Sequence, residues 1–546
     1  MIRFQRVVQG FSLALFVFLL WKASYPLPGW IGVDLFLRLD PLISLGTMSA
    51  ARTFIPALVW GLVVLGLTAV LGRFFCGFLC PLGVTVDIAD RITTRWRLNR
   101  ASGGGASLAG RRWKYLLLAF TGGTALVGVS SVFLFSPVSI ATRFFGFVLF
   151  PLAYGGADAA GRLLEDTVLL LGAGDFSLPE VRIPVFATNL FVAVMVAAIL
   201  LGGVRRRRFW CSTLCPAGAA FALVGFRPLF RRRVSEACTG CGKCESVCPT
   251  GAIADDFVTT SHSECILCLE CLDICPVQAI DFKFSLRGAE PAPGVDVTRR
   301  ALLGSGAAGL FTAALVAASP GYLHGKLEPR PSRPSSLIRP PGALPEPEFQ
   351  ARCVRCGECM KACLTNTLQP VWLKSGLSGL WTPAVTARLA GCDQNCNICG
   401  LVCPSGAIRP LEPEEKLFAK IGTARIITSR CIAWEHDRQC LICDEICPYN
   451  AISSRFVEGR PVTVPVVNED RCNGCGYCEQ KCPVEGESAI VVESHGELRL
   501  AEGSYRERAE RQGLVFHAEA GREDTILSPE GPHKDQGGLP PGFITD

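Results

Sequence analysis

Apolar residues run almost unbroken over 7–25, 53–72, 115–135, 184–203 and 301–319. A helix needs about 20 such residues to cross a hydrocarbon core. The pattern therefore predicts an α-helical membrane domain of four spans within 1–235 and a fifth span, anchor or signal, at 298–319. The stretch 144–173 is also apolar, but glycine and acidic residues interrupt it, and it predicts an interfacial segment. Basic residues crowd two of the connections. Arg73, Arg91, Arg95, Arg97, Arg100, Arg111, Arg112 and Lys114 lie between the second and third spans, and Arg205 to Arg208, Arg227 and Arg231 to Arg233 follow the fourth. The segments 26–52 and 136–183 carry only two and three. Positive charge stays on the cytoplasmic side, so the N-terminus, 73–114 and 204–300 are expected there. Trp21, Tyr25 and Trp30 suit an aromatic belt at the outer end of the first span.

Composition agrees with this reading. The chain is 49% apolar with a mean hydropathy of +0.33, too hydrophobic for an ordinary soluble protein. Its net charge of +6 does not point to nucleic acid, because the cations sit beside apolar spans.

The 28 cysteines change the picture most. Twenty-four of them form six runs near C-x2-C-x2-C-x3-C, most closed by proline. The first two are Cys238, Cys241, Cys244, Cys248 and Cys265, Cys268, Cys271, Cys275. The third, Cys353, Cys356, Cys359, Cys363, has Leu364 in place of proline, and the fourth, Cys392, Cys396, Cys399, Cys403, opens with x3. The fifth, Cys431, Cys440, Cys443, Cys447, opens with x8, and Cys472, Cys475, Cys478, Cys482 is regular. In two-cluster ferredoxins three cysteines of one run hold one cubane and the fourth holds the other. Structural zinc wants two separated pairs, and disulfide frameworks belong to small secreted domains. Six [4Fe-4S] clusters in three α+β two-cluster modules are therefore expected, at 236–284, 351–411 and 424–492. The Cys-Pro-x-x-Ala-Ile repeats ending at Ile280, Ile408 and Ile452 predict a short strand after each.

Arg299-Arg300 before a weakly hydrophobic Gly/Ala-rich span resembles a twin-arginine export signal. Clusters are assembled in the cytoplasm, so a four-cluster cargo would have to cross folded, through the twin-arginine machinery. Residues 320–546 are then outside, with Ala317-Ala318 open to cleavage. Prolines make 320–350 an extended tether, and 499–546 reads as a charged, mobile tail.

Cys76 and Cys80, and Cys211 and Cys215, lie in two C-x3-C-P elements at the ends of the second and fourth spans. Spacing i,i+4 puts each pair on one helix face. An additional metal site and a structural or redox role both stay open. No histidine precedes His262 and no C-x-x-C-H occurs, so neither b-type nor c-type haem is supported. No nucleotide-binding glycine loop is present. Asp40, Asp87 and Asp90 lie near span ends, where an acid is a candidate proton acceptor or a solvated helix-end group.

These features resemble two known ferredoxin types joined head to tail. Asp40-Pro41-Leu42, both C-x3-C-P elements, Ser136-Pro137-Val138-Ser139 and the first two runs are similar to the NapH-like membrane ferredoxins of periplasmic nitrate reductase systems. The twin arginines, Arg339-Pro340-Pro341-Gly342-Ala343, Cys353-Val354-Arg355-Cys356-Gly357 and the later runs resemble the NapG-like exported ferredoxins. The resemblance implies a multi-pass protein of the bacterial cytoplasmic membrane. It would act as a quinol dehydrogenase component, taking electrons from the quinone pool and passing them to a periplasmic reductase or c-type cytochrome. Alternatives are a reductase in metal-cofactor maturation and a transmembrane conduit fed by cytoplasmic ferredoxin.

Overall fold

The structure, a computed structural model, describes residues 2–27, 32–95, 108–170, 183–285, 297–317 and 337–516. Trp30, Arg97, Arg100, Ala318, residues 320–336 of the expected tether and 517–546 of the expected tail lie outside the described residues. The remainder of both is packed, not extended or mobile: Glu346–Arg352 and Tyr505–Arg511 are helical, and Arg339, Phe349, Tyr505 and Phe516 are buried. The helical part contains, in order, α1 (Ile2–Lys22), α2 (Pro41–Ala51), α3 (Val59–Leu71), α4 (Pro81–Arg95), α5 (Leu108–Leu126), α6 (Pro137–Arg143), α7 (Phe150–Leu170), α8 (Asn189–Arg205), α9 (Pro216–Val224) and α10 (Arg299–Ala317).

Four of these helices start by one device. Proline stands at the first helical position, where its fixed φ suits the helix and its missing N–H costs nothing. The preceding side chain accepts a backbone N–H of the first turn: Asp40 from Leu42 at 2.9 Å, Cys80 from Gly83 at 3.4 Å, Ser136 from Ser139 at 3.1 Å and Cys215 from Gly218 at 3.4 Å. Asp40 also accepts from Ser136 Oγ at 2.7 Å, tying two of the caps together. The Asp-Pro, Cys-Pro and Ser-Pro dipeptides are thus helix starts.

Helix lengths depart from the four spans expected within 1–235. Among the described residues two helices are long and apolar enough to cross a membrane, Phe4–Lys22 and Pro137–Glu165. Pro41–Ala51, Pro56–Leu71 and Asn189–Val204 are shorter apolar helices. The segment expected to be interfacial belongs to the second long helix, in which α6 runs through a π turn at Phe144–Leu149 into α7. Alanine keeps this stretch helical, and Asp158 is neutralised by Arg162 one turn on, at 3.0 Å. The element expected as a fifth span, α10, lies along α5. A Cβ added at Gly123 would sit 2.4 Å from the Gly306 carbonyl oxygen, and one at Gly309 would sit 2.3 Å from that of Phe120. Ser305 Oγ donates to the Leu116 carbonyl at 2.7 Å, so the two backbones touch.

Three helices run between two cysteine-rich regions. Gln5 and Gln9 of α1 donate to the Gly77 carbonyl at 3.1 and 2.9 Å, whereas Trp21 and Ala23 at its far end accept from Lys361 Nζ at 3.2 and 3.1 Å. In α5, Arg111 near the start donates to Thr250, and just past the end Ser130 accepts from Arg355. Before α8, Val185 accepts from Asn366 and Gln369, and after it Arg207 pairs with Glu270. The 236–284 module thus docks at one end of α5 and α8 and the 351–411 module at the other, while α1 runs from Gly77, beside Cys76, to the 351–411 module.

The modules carry only two-stranded antiparallel sheets. β1 (Phe230–Val234) pairs with β2 (Ile280–Phe284), and β3 (Leu368–Pro370) with β4 (Pro383–Val385). β5 (Thr423–Ile426) pairs with β8 (Ile490–Glu493) around β6 (Ile452–Arg455) and β7 (Val464–Val467). Ile280 and Ile452 open strands, as the repeat predicts. Ile408 makes only an isolated bridge to Ala343. Pro410 and Pro413 follow it, and proline cannot donate to a ladder.

Candidate functional site: cavities lined by thiols

The run spacing makes a compact coil around each thiol set. In the third and sixth runs the chain turns through left-handed Gly357 and Gly476 into a five-residue helix, which aims the first three thiols at one point. The fourth thiol comes from the other run of the pair. Cys353, Cys356 and Cys359 share a cavity of about 350 Å³ with Cys403. Cys392, Cys396 and Cys399 share one of about 340 Å³ with Cys363. Cys472, Cys475 and Cys478 meet Cys447 around about 320 Å³, and Cys431, Cys440 and Cys443 meet Cys482 around about 370 Å³. The long x8 insertion only widens a loop. In the first module Cys248 lies within electrostatic range of Cys265, Cys268 and Cys271, while Cys275 joins the small core around Cys244.

Among the described residues, no three His, Cys, Asp or Glu side chains come close enough to hold one metal ion. The thiols surround spaces instead, which suits a polynuclear iron–sulfur group. Burial pushes the Cys353 thiol up to about 11 and Cys443 up to about 12. Metal loading must therefore displace protons from these sets.

Buried cations attend the sets, a feature the spacing of cysteines did not announce. Arg232 donates to Cys244 Sγ at 3.5 Å and to Thr260 Oγ1 at 2.7 Å. Arg355, between Cys353 and Cys356, lies 4.1 Å above the Phe133 ring. Lys416 is 4% exposed beside Cys392, and Lys420 stands beside Cys472. Nε of Arg232 and of Arg355 is buried without a partner. A buried cation is costly unless compensated, and a thiolate-ligated cluster supplies negative charge. The residues present fit [4Fe-4S] groups.

Backbone N–H groups also point at sulfur. Ala252, Ala279 and Ala451 donate to Cys248, Cys275 and Cys447 at 3.2, 3.3 and 3.3 Å. The Arg-Pro-Pro-Gly-Ala stretch has a structural part: Pro340 and Pro341 line the Cys363 cavity, and buried Arg339 pairs with Glu346 at 2.5 Å.

The fifth cavity, about 330 Å³, is lined by Cys76, Cys80, Cys211 and Cys215 with Arg73, Phe75, Pro137 and Phe221. Each cysteine pair does not lie on one helix face, as i,i+4 spacing suggested. Cys76 sits in the short helix Phe74–Phe78 and Cys211 in a π turn, whereas Cys80 and Cys215 cap the next helices. The prolines force this, because they bar helical backbone in the residue before them.

The basic residues read as topology signals also have partners. Arg73 and Lys114 meet Glu264 at 2.9 and 2.5 Å, all three without exposure. Arg208 pairs with Asp87 at 2.5 Å and its backbone N–H donates to Asp90 at 2.9 Å. Asp40 is a buried cap and Asp87 a partly buried ion-pair partner.

The thiol sets define the class: a multi-cluster ferredoxin-type iron–sulfur electron-transfer protein. Models described as a 4Fe-4S binding domain match residues 53–99 and 188–235 and, in a second type, 233–254 and 258–281, and a 4Fe-4S dicluster domain matches 438–485. The methylamine utilization ferredoxin-type protein MauM of Methylophilus methylotrophus is 38% identical over 170 residues, 30% of this chain and 74% of that protein. The ferredoxin-type protein NapG of Escherichia coli is 36% identical over 188 residues, 32% of this chain and 78% of NapG. NapF of the same organism is 32% identical over 173 residues, 31% of this chain and 95% of NapF. The chain belongs to this family of ferredoxin-type proteins.

Proposed function

We propose that the chain is a membrane-bound quinol dehydrogenase component that carries electrons from a quinol through six [4Fe-4S] clusters to a periplasmic reductase or cytochrome. The observation that carries the reading is the docking of cysteine modules at opposite ends of the same helices. α5, which meets both modules, has 19 residues, about 28 Å at 1.5 Å per residue, close to the roughly 30 Å of a hydrocarbon core. Likeness to NapG, and the paired arginines that open α10, favour export of the 351–492 modules. The backbone contact of α10 with α5 favours a helix kept in the membrane rather than cleaved away, since small residues let membrane helices approach closely.

Membranes containing the protein are given menaquinol and the clusters followed by EPR. Reduction of the Cys353–Cys482 sets is the expected result. Clusters that stay oxidised with every quinol, yet accept electrons from a cytoplasmic ferredoxin, would replace this reading with a transmembrane conduit entered at the 236–284 module. Protease shaving of spheroplasts tests the sidedness: protection of residues 351–492 would exclude export.

A further inference from the structure

We infer that Cys76, Cys80, Cys211 and Cys215 together ligate a seventh iron–sulfur cluster, and that this cluster is the relay between the 236–284 module and the 351–411 module. The first ground is the match of the cavity to the ferredoxin sites. Four thiols line one cavity, as four thiols line the cavity of each three-plus-one set. The segments 53–99 and 188–235 match the same 4Fe-4S model but hold two cysteines each. Neither can complete a four-cysteine set alone, and the fold makes one site from two halves.

The lining repeats the other features of a cluster site. The Gly83 and Gly218 N–H groups each donate to a sulfur at 3.4 Å, the role that Ala252 and Ala279 play in the ferredoxin sets. Arg73 lines the cavity, is fully buried, and leaves Nε without a partner. Its space is reserved: a Cβ at Gly218 would lie 2.7 Å from Arg73 Nη2. Small packing thiols would need neither a buried cation nor a cavity.

Position makes the site a relay. Arg73 donates to Ser263 O at 3.4 Å and to Glu264 at 2.9 Å, immediately before Cys265, and a Cβ at Gly77 would lie 2.1 Å from the Ile266 carbonyl oxygen. One wall thus abuts the loop that holds Cys265 and Cys268. Pro137, also in the lining, opens α6, and Arg143 at the end of that helix lies in electrostatic range of Cys356. Seven residues of helix span only about 10 Å. Phe75, Cys80, Cys211, Cys215 and Phe221 belong to one apolar core with Val354 and Cys356. Each transfer moves one electron: the Cys248, Cys265, Cys268, Cys271 set is oxidised, the four-thiol cluster is reduced, and the electron passes to the Cys353, Cys356, Cys359, Cys403 set. Ligands stay bound and no proton is exchanged. The quinol of the proposed function, a two-electron and two-proton donor, or a reduced ferredoxin supplies the current.

This extends the electron-carrier reading, and its first readout is independent of the donor. Full-length protein, purified anaerobically, is analysed for iron and acid-labile sulfide. About 28 iron atoms per chain are expected, against about 24 for the ferredoxin sets alone at four per cubane. A value of about 24 in the unmodified, fully loaded protein overturns the proposal without any variant. The Cys76→Ser/Cys211→Ser variant should lose about four iron atoms and one EPR species, and retention of both overturns it. The relay is tested in proteoliposomes with the 236–284 module outermost, reduced by external dithionite. Reduction of the Cys353–Cys482 sets should slow at least about 100-fold in the variant. An unchanged rate with iron lost would leave a cluster there and remove its relay role.

Discussion

The 236–284 and 351–411 modules are built from the same paired cysteine runs, yet they hold the helical domain by different forces. The first has a core of its own, Cys244, Ile253, Cys271 and Ile280, that includes no residue of the helices. It docks through charge: Glu264 with Arg73 and Lys114, Glu270 with Arg207, and carbonyls with Arg111. The second shares one continuous apolar core with the helices, in which Phe147, Phe186 and Val192 join Met360, Leu368 and Val385. Phe147 stacks on Phe186 at 4.3 Å and covers left-handed Gly357. A small module that exposes little apolar surface needs specific buried ion pairs to fix its pose. A larger apolar contact fixes position through shape.

That contrast breaks most sharply at Glu264. Burial alone would raise its carboxyl, but Lys114 and Arg73 hold it below the ordinary value of 4.5. Glu264→Gln strands two buried cations, and removing one partner of a buried pair costs about 3–5 kcal/mol. Limited proteolysis should then release the 236–284 module while 351–492 remains resistant. Equal resistance of both modules would show that charge does not secure the first.

Glu346 tests the other module. Burial opposes its ionisation, but Arg339 and then Arg499 hold the carboxyl well below 4.5. A depressed pKa means stability that is present in full above 4.5 and is lost as the pH falls toward the folded value. Thermal melts of the full chain should show an acid-labile transition assigned to 351–411 by hydrogen exchange. Glu346→Gln should remove that dependence and cost about 1.5–3 kcal/mol, the scale of hydrogen bonds to charged groups. A wild-type acid profile in the variant would rule the ion pair out.

Gly357→Ala sharpens the steric side of the comparison. Its φ is +85° and a Cβ would meet Phe147 Cζ at 2.4 Å, so overpacking of about 1–3 kcal/mol is expected. Hydrogen exchange should quicken around residues 144–150 and not in the first module. The smallest effect belongs to Asp158→Asn. Its pair with Arg162 is two-thirds exposed on the arginine side, and such pairs contribute about 0.5 kcal/mol or less. Unfolding of α7 measured by exchange should barely change, and a larger loss would assign that pair a role beyond the helix surface.

The thiol sets and their interleaving were legible because they are local. Two-residue spacings force a coil that aims three sulfurs at one point, and even the x8 insertion before Cys440 leaves the other contacts in place. The strands after Cys275 and Cys447 were legible for the same reason. Helix lengths were less so. Hydropathy marks where apolar residues accumulate, but caps such as Asp40-Pro41 and Ser136-Pro137 decide where a helix starts, and the glycine-interrupted 144–165 stretch stays helical inside a longer element.

What the sequence determined by itself is the inventory and the local geometry: six cysteine runs, two C-x3-C-P elements, and apolar helices rimmed by cations. The tertiary structure decided which distant parts meet. Cys76 and Cys215 are far apart in the chain, and no periodicity reports that their helices present sulfur to one cavity. Arg73, Arg111, Lys114 and Arg207 read alike as positive charge, yet only folding assigned Glu264 to two of them and Glu270 to another. Local spacing fixes bond angles within a turn, but the cost of burying a charge or a thiol is settled by whatever the rest of the chain brings within a few ångströms.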